Sequence, residues 1–359
     1  MKIGVLTYHK ERSQGATFQA YATYRALREL GCEVEVIDLE RKTFAHSALQ
    51  RAIVKPYFFL FEHRQDLFRK KFYPPYSRHY ANLEELQAKP PVIDAACVGS
   101  DQTWNGKIAM PENALAYFLD FGPKGMYRFS YASSFGYPKW MIDDEEKTKR
   151  IGELMKSYVG LSVRETTGAQ IIKDKFGLDA TVVCDPTILH TNYDEFTQGL
   201  KQQNEMVCYF LFNYSDNLVK ANHEISSYLK IPARWVGRPY FVRGFKNSYF
   251  PDIITWYRRI ASAQFVATDS FHGTVAALIC KKPFVVLYRD YGLSSRIVDL
   301  LTQVGLEDRI YFNYEAFAAS DSWKQPINYD EVGRKLNAYR ERSWAYLRGV
   351  IEKIAQEKK

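Results

Sequence analysis

The stretch from Gln264 to Asp290, QFVATDSFHGTVAALICKKPFVVLYRD, restricts the possible folds more than any other part of the chain. It reads as strand, tight turn, helix, strand. Gln264 to Thr268 favours β structure, and Asp269 and Ser270 are residue types that cap helix N-termini. Gly273 and Thr274 open the apolar segment VAALIC. Lys281 and Lys282 fall where a helix C-terminus attracts cations, and Pro283 ends the helix. PFVVLY is then a continuous apolar run of the kind buried in parallel sheets. Such a unit carries its first turn to the carboxyl edge of a sheet, where free backbone N–H groups and the helix dipole favour an anion. Asp269, Ser270, His272 and Gly273 are delivered there. A titratable imidazole beside an anion cradle makes this turn the first candidate site.

The same alternation recurs along the chain. Ile3 to Tyr8 reads as a buried strand, Thr17 to Leu30 as a helix closed by Gly31, and Glu33 to Leu39 as the next strand. Further strands are expected at Val92–Val98, Tyr127–Ser133, Tyr158–Val163, Thr181–Cys184, Met206–Phe212 and Ala233–Gly237. Polar residues gather just past the strand ends. They include Gln14 and Gly15, then Ser100-Asp101-Gln102, Ser134-Phe135-Gly136, Arg164-Glu165 and Asp185-Pro186. An α/β sheet binds its ligands at that edge. With 359 residues the chain exceeds one ordinary core. The expectation is an α/β protein of two doubly wound, Rossmann-like domains facing a cleft, the first over 1–185 and the second over 186–330. One or two long charged helices follow from Tyr329 to Lys359.

Several functions are excluded or disfavoured. GxGxxG, a P-loop and HExxH are all absent, so no dinucleotide, Mg-ATP or metal site is expected, and no cofactor. The five cysteines stand singly in apolar surroundings, as small core residues of a reducing compartment do. No apolar run approaches the roughly 20 residues of a membrane span, and the N-terminus enters a strand directly, so a cytosolic location is expected. The net charge of +8 favours anionic partners, but Lys and Arg are spread along the chain and no nucleic-acid partner is expected. Between Phe44 and Tyr80 the pattern changes, and the patch from Lys55 to Lys71 and its neighbour Phe72 is the densest part. Phe58, Phe59, Phe61, Phe68 and Phe72 interleave with Arg64, Arg69, Lys70 and Lys71. This reads either as an amphipathic helix pair packed on the domain or as a surface for the anionic inner membrane face.

Several segments, taken together, resemble the polysaccharide pyruvyl transferases: QGATFQAYA, GSDQTWN, SYASSFG, LSVRETTGAQII followed by VVCDPT, TDSFHG, and SSRIVDLLTQVGLEDR. They follow one another in the family's order along almost the whole chain. The resemblance implies a fold similar to the GT-B glycosyltransferases, with a C-terminal helix over 331–359 crossing back to the first domain. It implies transfer of a pyruvyl group from phosphoenolpyruvate to two hydroxyls of a sugar, on a cell-surface glycan or its lipid-linked precursor. His272 matches the family's histidine. The family's Arg two residues before it is here Ser270, so the donor's charge falls to Arg164, which matches a strand-end Arg, with Arg289 and Arg296 from the second domain. Asp101 is the second candidate catalytic residue. Gln14, Gly15, Ser270, Gly273 and Thr274 are candidate substrate contacts.

Each of these residues has a plainer reading. His272 could cap its own helix, Asp101 its turn, and Arg164 could pair with Glu165 or Asp185. Gln14 and Gly15 could merely shape a loop. His9, His46, His63, His79, His190 and His223 show no constellation and read as ordinary surface or packing residues. The alternative functions are a glycosyltransferase using a nucleotide sugar and a non-catalytic glycan- or membrane-binding protein.

Overall fold

A computed structural model describes the chain except for residues 12, 42–47, 109–112, 211–213, 238–241, 250, 288–294 and 359, and excluding the side chains of 48–58, 60 and 249. The chain divides into two compact units. One comprises Met1–Ala45, Lys70–Leu189 and Asn337–Lys359, the other His46–Arg69 and His190–Leu336. Residues 46–69, placed by sequence in the first domain, therefore group with the second unit.

The first unit is built on a five-stranded parallel sheet. Its strands are β1 Lys2–Leu6, β2 Glu33–Leu39, β3 Tyr76–Tyr80, β4 Ala95–Val98 and β5 Tyr127–Ser130, in the order β3-β2-β1-β4-β5. A two-stranded extension, β6 Ser162–Val163 with β7 Thr181–Val182, continues past β5 through parallel bridges at Phe129–Gly160 and Ser133–Val163. The second unit holds β8 Met206–Phe210, β9 Ala233–Gly237, β10 Lys246–Tyr249, β11 Phe265–Thr268, β12 Phe284–Leu287 and β13 Ile310–Tyr311. All are parallel, in the order β10-β9-β8-β11-β12-β13. In both sheets the chain winds outward one way, returns to the centre, and winds outward the other way. The switch points lie between β1 and β4 and between β8 and β11. At such a point the connections diverge and leave a crevice at the carboxyl edge.

The central strands AACV, MVCYF, FVAT and FVVL are buried at every residue. A parallel sheet covered on both faces requires this, and it is why these runs read as uninterrupted apolar sequence. Each unit has its own core. Leu6, Ile37, Val98, Trp104, Phe118 and Phe135 belong to one, Cys208, Phe210, Trp235, Val285 and Phe317 to the other.

The charged tail is a single helix, Tyr329–Glu357. From Asn337 on it belongs to the first unit, where Ser343 Oγ accepts from the Cys184 amide at 2.9 Å and Tyr346 donates to the Ser130 carbonyl at 2.9 Å. Leu347, Val350 and Ile354 are buried along it.

The aromatic–basic stretch forms one helix, Ala48–Phe72, not a helix pair, and β3 follows it. Phe61 and Phe68 are buried, and Phe68 packs edge-on against Phe196. Arg69 is buried too, paired with Asp66 at 2.9 Å and Glu62 at 3.7 Å. These three are packing residues, as the amphipathic-helix reading has it. Phe59 and Leu67 are exposed, at 76% and 53%, as are Arg64, Lys70 and Lys71. Of the expected surface, Phe59, Arg64, Lys70 and Lys71 are exposed and Phe72 is half-buried among the described side chains, and Leu67 joins them.

Candidate active site

The polar strand ends gather into two clusters, one in each unit. In the first, Gly99 follows β4, and Asp101 turns with φ +76°. A left-handed backbone at a non-glycine residue is costly and is tolerated best by Asp and Asn. Asp101 recovers part of that cost locally. Its Oδ1 accepts from the Gln102 amide at 2.8 Å, its carbonyl accepts from the Ser134 amide at 2.9 Å, and it bridges Ser133 in parallel. Gly136, at φ +71°, closes the neighbouring turn, where a Cβ would lie 2.1 Å from Gln102 Oε1.

Behind Asp101 lies a buried ionic network. Arg164 Nη1 meets Asp185 Oδ2 at 2.8 Å and its Nε lies 3.9 Å from Glu165 Oε2, with the Arg164 side chain only 2% exposed. Ser100 Oγ donates to Asp185 Oδ2 at 2.9 Å, and Thr187 donates to Oδ1 through both its amide and its hydroxyl. Glu165 Oε1 accepts from Ser134 Oγ at 2.7 Å and from the Phe135 amide. Burial acts to lower the Arg164 pKa, but the charges of Asp185, Glu165 and Asp101 outweigh it and raise the pKa, so the guanidinium stays charged. The ion-pair reading of Arg164 is therefore the arrangement present. Through Asp185 the network ties together the ends of β4, β6 and β7.

Gln14 and Gly15 occupy the first turn of the helix Gln14–Glu29 at the same edge, and both are buried. Ser13 caps that helix, accepting from the Ala16 amide at 3.5 Å.

In the second unit, the turn after β11 is built as its sequence suggests. Thr268 Oγ1 donates to the Tyr209 carbonyl of β8 at 2.7 Å and accepts from the Ser270 amide at 3.0 Å. Ser270 caps the helix Phe271–Ile279, accepting from the Gly273 amide at 3.3 Å, and Thr274 Oγ1 donates back to the Ser270 carbonyl at 3.0 Å. A Cβ on Gly273 would lie 2.4 Å from Thr268 Oγ1 and 3.0 Å from the Tyr209 ring. Glycine is required here because the helix passes directly over the strand ends. His272 is 8% exposed and stacks edge-on with Phe271 at 5.2 Å. It sits beside the β8/β11 switch point, as Asp101 sits beside that of β1 and β4. Arg296 lies in the first turn of the helix Ser295–Val304. Arg289 lies outside the described residues.

The structure thus brings Asp101 and Arg164 together with Gln14 and Gly15 at one sheet edge, and Ser270, His272, Gly273 and Thr274 at another. Sequence reasoning missed Thr268, the joint of the second turn, which carries no local signal beyond its strand-end position. It also passed over His9 and His79. His9 Nε2 lies 3.0 Å from Asp38 Oδ1, and His79 Nδ1 lies 3.4 Å from Asp38 Oδ2, so these two do form a constellation. The usable signal was that His9 falls just past the end of β1. Among the described residues no group of three or more His, Cys, Asp or Glu is arranged to hold a metal ion.

Two doubly wound units with parallel sheets, each with a polar turn at its switch point, define a two-domain α/β protein of the GT-B-like kind. Solved structures with this fold include UDP-GlcNAc 2-epimerase from Neisseria meningitidis bound to UDP-GlcNAc (TM-score 0.56, 11% identity, covering 98% of this chain and 100% of that one). The corresponding epimerase from Rickettsia bellii is similar as well (TM-score 0.54, 10% identity, covering 99% and 97%). So is Arabidopsis thaliana UGT89C1 complexed with UDP (TM-score 0.50, 13% identity, covering 99% and 98%). At these identities the likeness is one of fold. No curated protein sequence matches the chain. The family model for polysaccharide pyruvyl transferase matches residues 15–291, more than half of the chain, and the protein belongs to that transferase family.

Proposed function

We propose that the protein transfers a pyruvyl group from phosphoenolpyruvate to two hydroxyls of a sugar, forming a ketal on a cell-surface glycan or its lipid-linked precursor. The observation that carries this reading is His272, set by the family-matching TDSFHG turn at the second sheet's switch point. The reaction needs a proton delivered to the enol methylene carbon, which becomes the methyl group. The central carbon then develops cationic character, one sugar hydroxyl adds and inorganic phosphate leaves. The second hydroxyl closes the ketal. The two hydroxyl protons end on the methyl carbon and on phosphate. Imidazole is the side chain best matched to both proton transfers near neutral pH.

In this reading His272 is the acid and base, and Asp101 assists at the acceptor hydroxyl. The N-terminal turn of the Phe271 helix, with Ser270, Gly273 and Thr274, meets the donor's phosphate or carboxylate. Arg296 and Arg289 supply the cationic charge that Ser270 does not. Arg164 contributes chiefly by holding the network behind Asp101. The exposed Arg64, Lys70 and Lys71 would meet an anionic membrane face when the acceptor is lipid-linked.

The test is a transfer assay with phosphoenolpyruvate and a panel of galactosides, glucosides and mannosides, read by phosphate release and by the mass of the ketal. A parallel thermal-shift titration compares phosphoenolpyruvate with UDP. Stabilisation by UDP alone, with no phosphate release, would replace this reading with sugar-nucleotide chemistry.

A further inference from the structure

The loop between β1 and the helix Gln14–Glu29 is fastened to β2 and to the segment just after it by consecutive residues. Buried His9 sets Nε2 3.0 Å from Asp38 Oδ1 and Nδ1 3.0 Å from the Thr7 carbonyl oxygen. Lys10 Nζ donates to both Asp38 oxygens at 2.7 Å. Glu11 pairs with Arg41, whose guanidinium lies over the Tyr8 ring. The same loop reaches the Asp101 turn, because Thr7 Oγ1 donates to the Ser100 carbonyl at 2.8 Å.

The two partners of the His9 ring decide its charge. A carbonyl oxygen only accepts, and so does an ionised carboxylate. Neutral imidazole carries one N–H and one lone pair, so it can satisfy one contact and must point a lone pair at an acceptor in the other. Both contacts are hydrogen bonds only for imidazolium. Asp38 is the ionised partner. Burial alone would raise its pKa, but hydrogen bonds and charge from His9 and Lys10 overcome burial and hold it well below the usual carboxylate range.

We propose that His9 and Asp38 form a charged clamp that positions the loop leading to Gln14 and Gly15 and steadies the Asp101 turn, making His9 a positioning residue. The proposal rests on reading this edge as part of the active site. Other groups share the corner. Lys10 comes from the same loop. From β3 come His79 and Tyr76, whose ring lies 5.8 Å from the His9 ring and 5.1 Å from Lys10 Nζ. Glu40 stands 3.7 Å from His79 Nε2. Lys10, bonded to both Asp38 oxygens, holds the carboxylate in place beside the ring.

The experiment uses the full chain, with nitrogen NMR of the imidazole rings and amide hydrogen exchange across residues 7–15 at pH 7, in the unaltered protein and in Asp38→Asn. The geometry of its two acceptor contacts calls for a proton on both His9 ring nitrogens. Asp38→Asn offers an amide N–H to Nε2, so its His9 should be neutral and exchange in this loop should rise more than in loops elsewhere in the same unit. In transfer assays His9→Gln should lower kcat/KM roughly tenfold to a hundredfold, mostly through the acceptor's KM. A neutral His9 at pH 7 in the unaltered protein overturns the clamp, and this reading needs no variant to fold. A charged His9 with loop protection unchanged in Asp38→Asn overturns the positioning role. If pyruvyl transfer itself fails, both NMR outcomes still stand or fall independently.

Discussion

At the scale of single residues, the second turn concentrates the chemistry and its constraint in neighbouring positions. His272 supplies the titratable group, and Gly273 allows the helix to start close enough to the strand ends to hold it. His272→Ala should fold as the parent does and lose roughly two to four decades of turnover. Steady-state phosphate release checks this, and near-parental turnover would remove His272 from the chemistry. Gly273→Ala should do the opposite kind of damage. Its methyl meets Thr268 Oγ1, which is already bonded to the Tyr209 carbonyl and the Ser270 amide and cannot yield cheaply. Overpacking of this sort costs about 1–3 kcal/mol. A thermal melt should show the loss, together with reduced turnover from a displaced His272. Arg164 is a third case. Arg164→Ala leaves the Asp185 and Glu165 carboxylates buried without their cation, which should cost roughly 3–5 kcal/mol. A denaturant midpoint close to the parent's would show that the network is not structural after all.

Among the elements, the helix Ala48–Phe72 departs most from its sequence reading. Five aromatics and four cations in one stretch look like a single surface, but the helix divides them. Phe61, Phe68 and Arg69 turn inward, while Phe59, Arg64, Lys70 and Lys71 face out beside the exposed Leu67. Helical side chains three or four apart share a face, so a patch contiguous in sequence is split by 3.6-residue periodicity. The membrane prediction follows the outward set. Sedimentation with anionic vesicles should show binding that weakens with salt and falls at least severalfold in Lys70→Glu/Lys71→Glu, each cation near the surface being worth about 1 kcal/mol. Equal recovery with neutral vesicles, or none with either, would leave this face as solvated surface. The edge strands β3 and β10 escaped sequence reading for a related reason. YSRHY and KNSY lie at the margins of their sheets, where an apolar run is not needed.

For the whole molecule, the C-terminal helix is as much part of the first unit as its own sheet. Its residues from Asn337 cap the Cys184 amide and the Ser130 carbonyl and bury Leu347, Val350 and Ile354. Burying each such aliphatic side chain is worth about 1.5–3 kcal/mol, and a domain's net stability is only about 5–15 kcal/mol. Truncation after Leu336 should therefore unfold the first unit while leaving the second unit's sheet and core residues in place. Limited proteolysis with mass mapping reads this directly. A protected first unit in the truncated chain would show that the helix merely lies on it.

The sequence alone determined what depends on neighbours along the chain. The buried parallel strands appear as apolar runs, the turn after β11 as cap, glycine and apolar segment, and the strand-end positions of Asp101, Arg164, Asp185 and His272 follow from that alternation. Only the tertiary structure decided which distant groups meet. His9 finds Asp38 across 29 residues, Ser100 finds Asp185 across 85, and Cys184 finds Ser343 across 159. It also decided that Arg164 is held by carboxylates and that Gly273 admits no side chain. Periodicity, caps and turn chemistry act over a few residues, so sequence carries them openly. Ion pairing, close packing and the charge of a buried ring are set by the surroundings that folding assembles, and no local pattern encodes those.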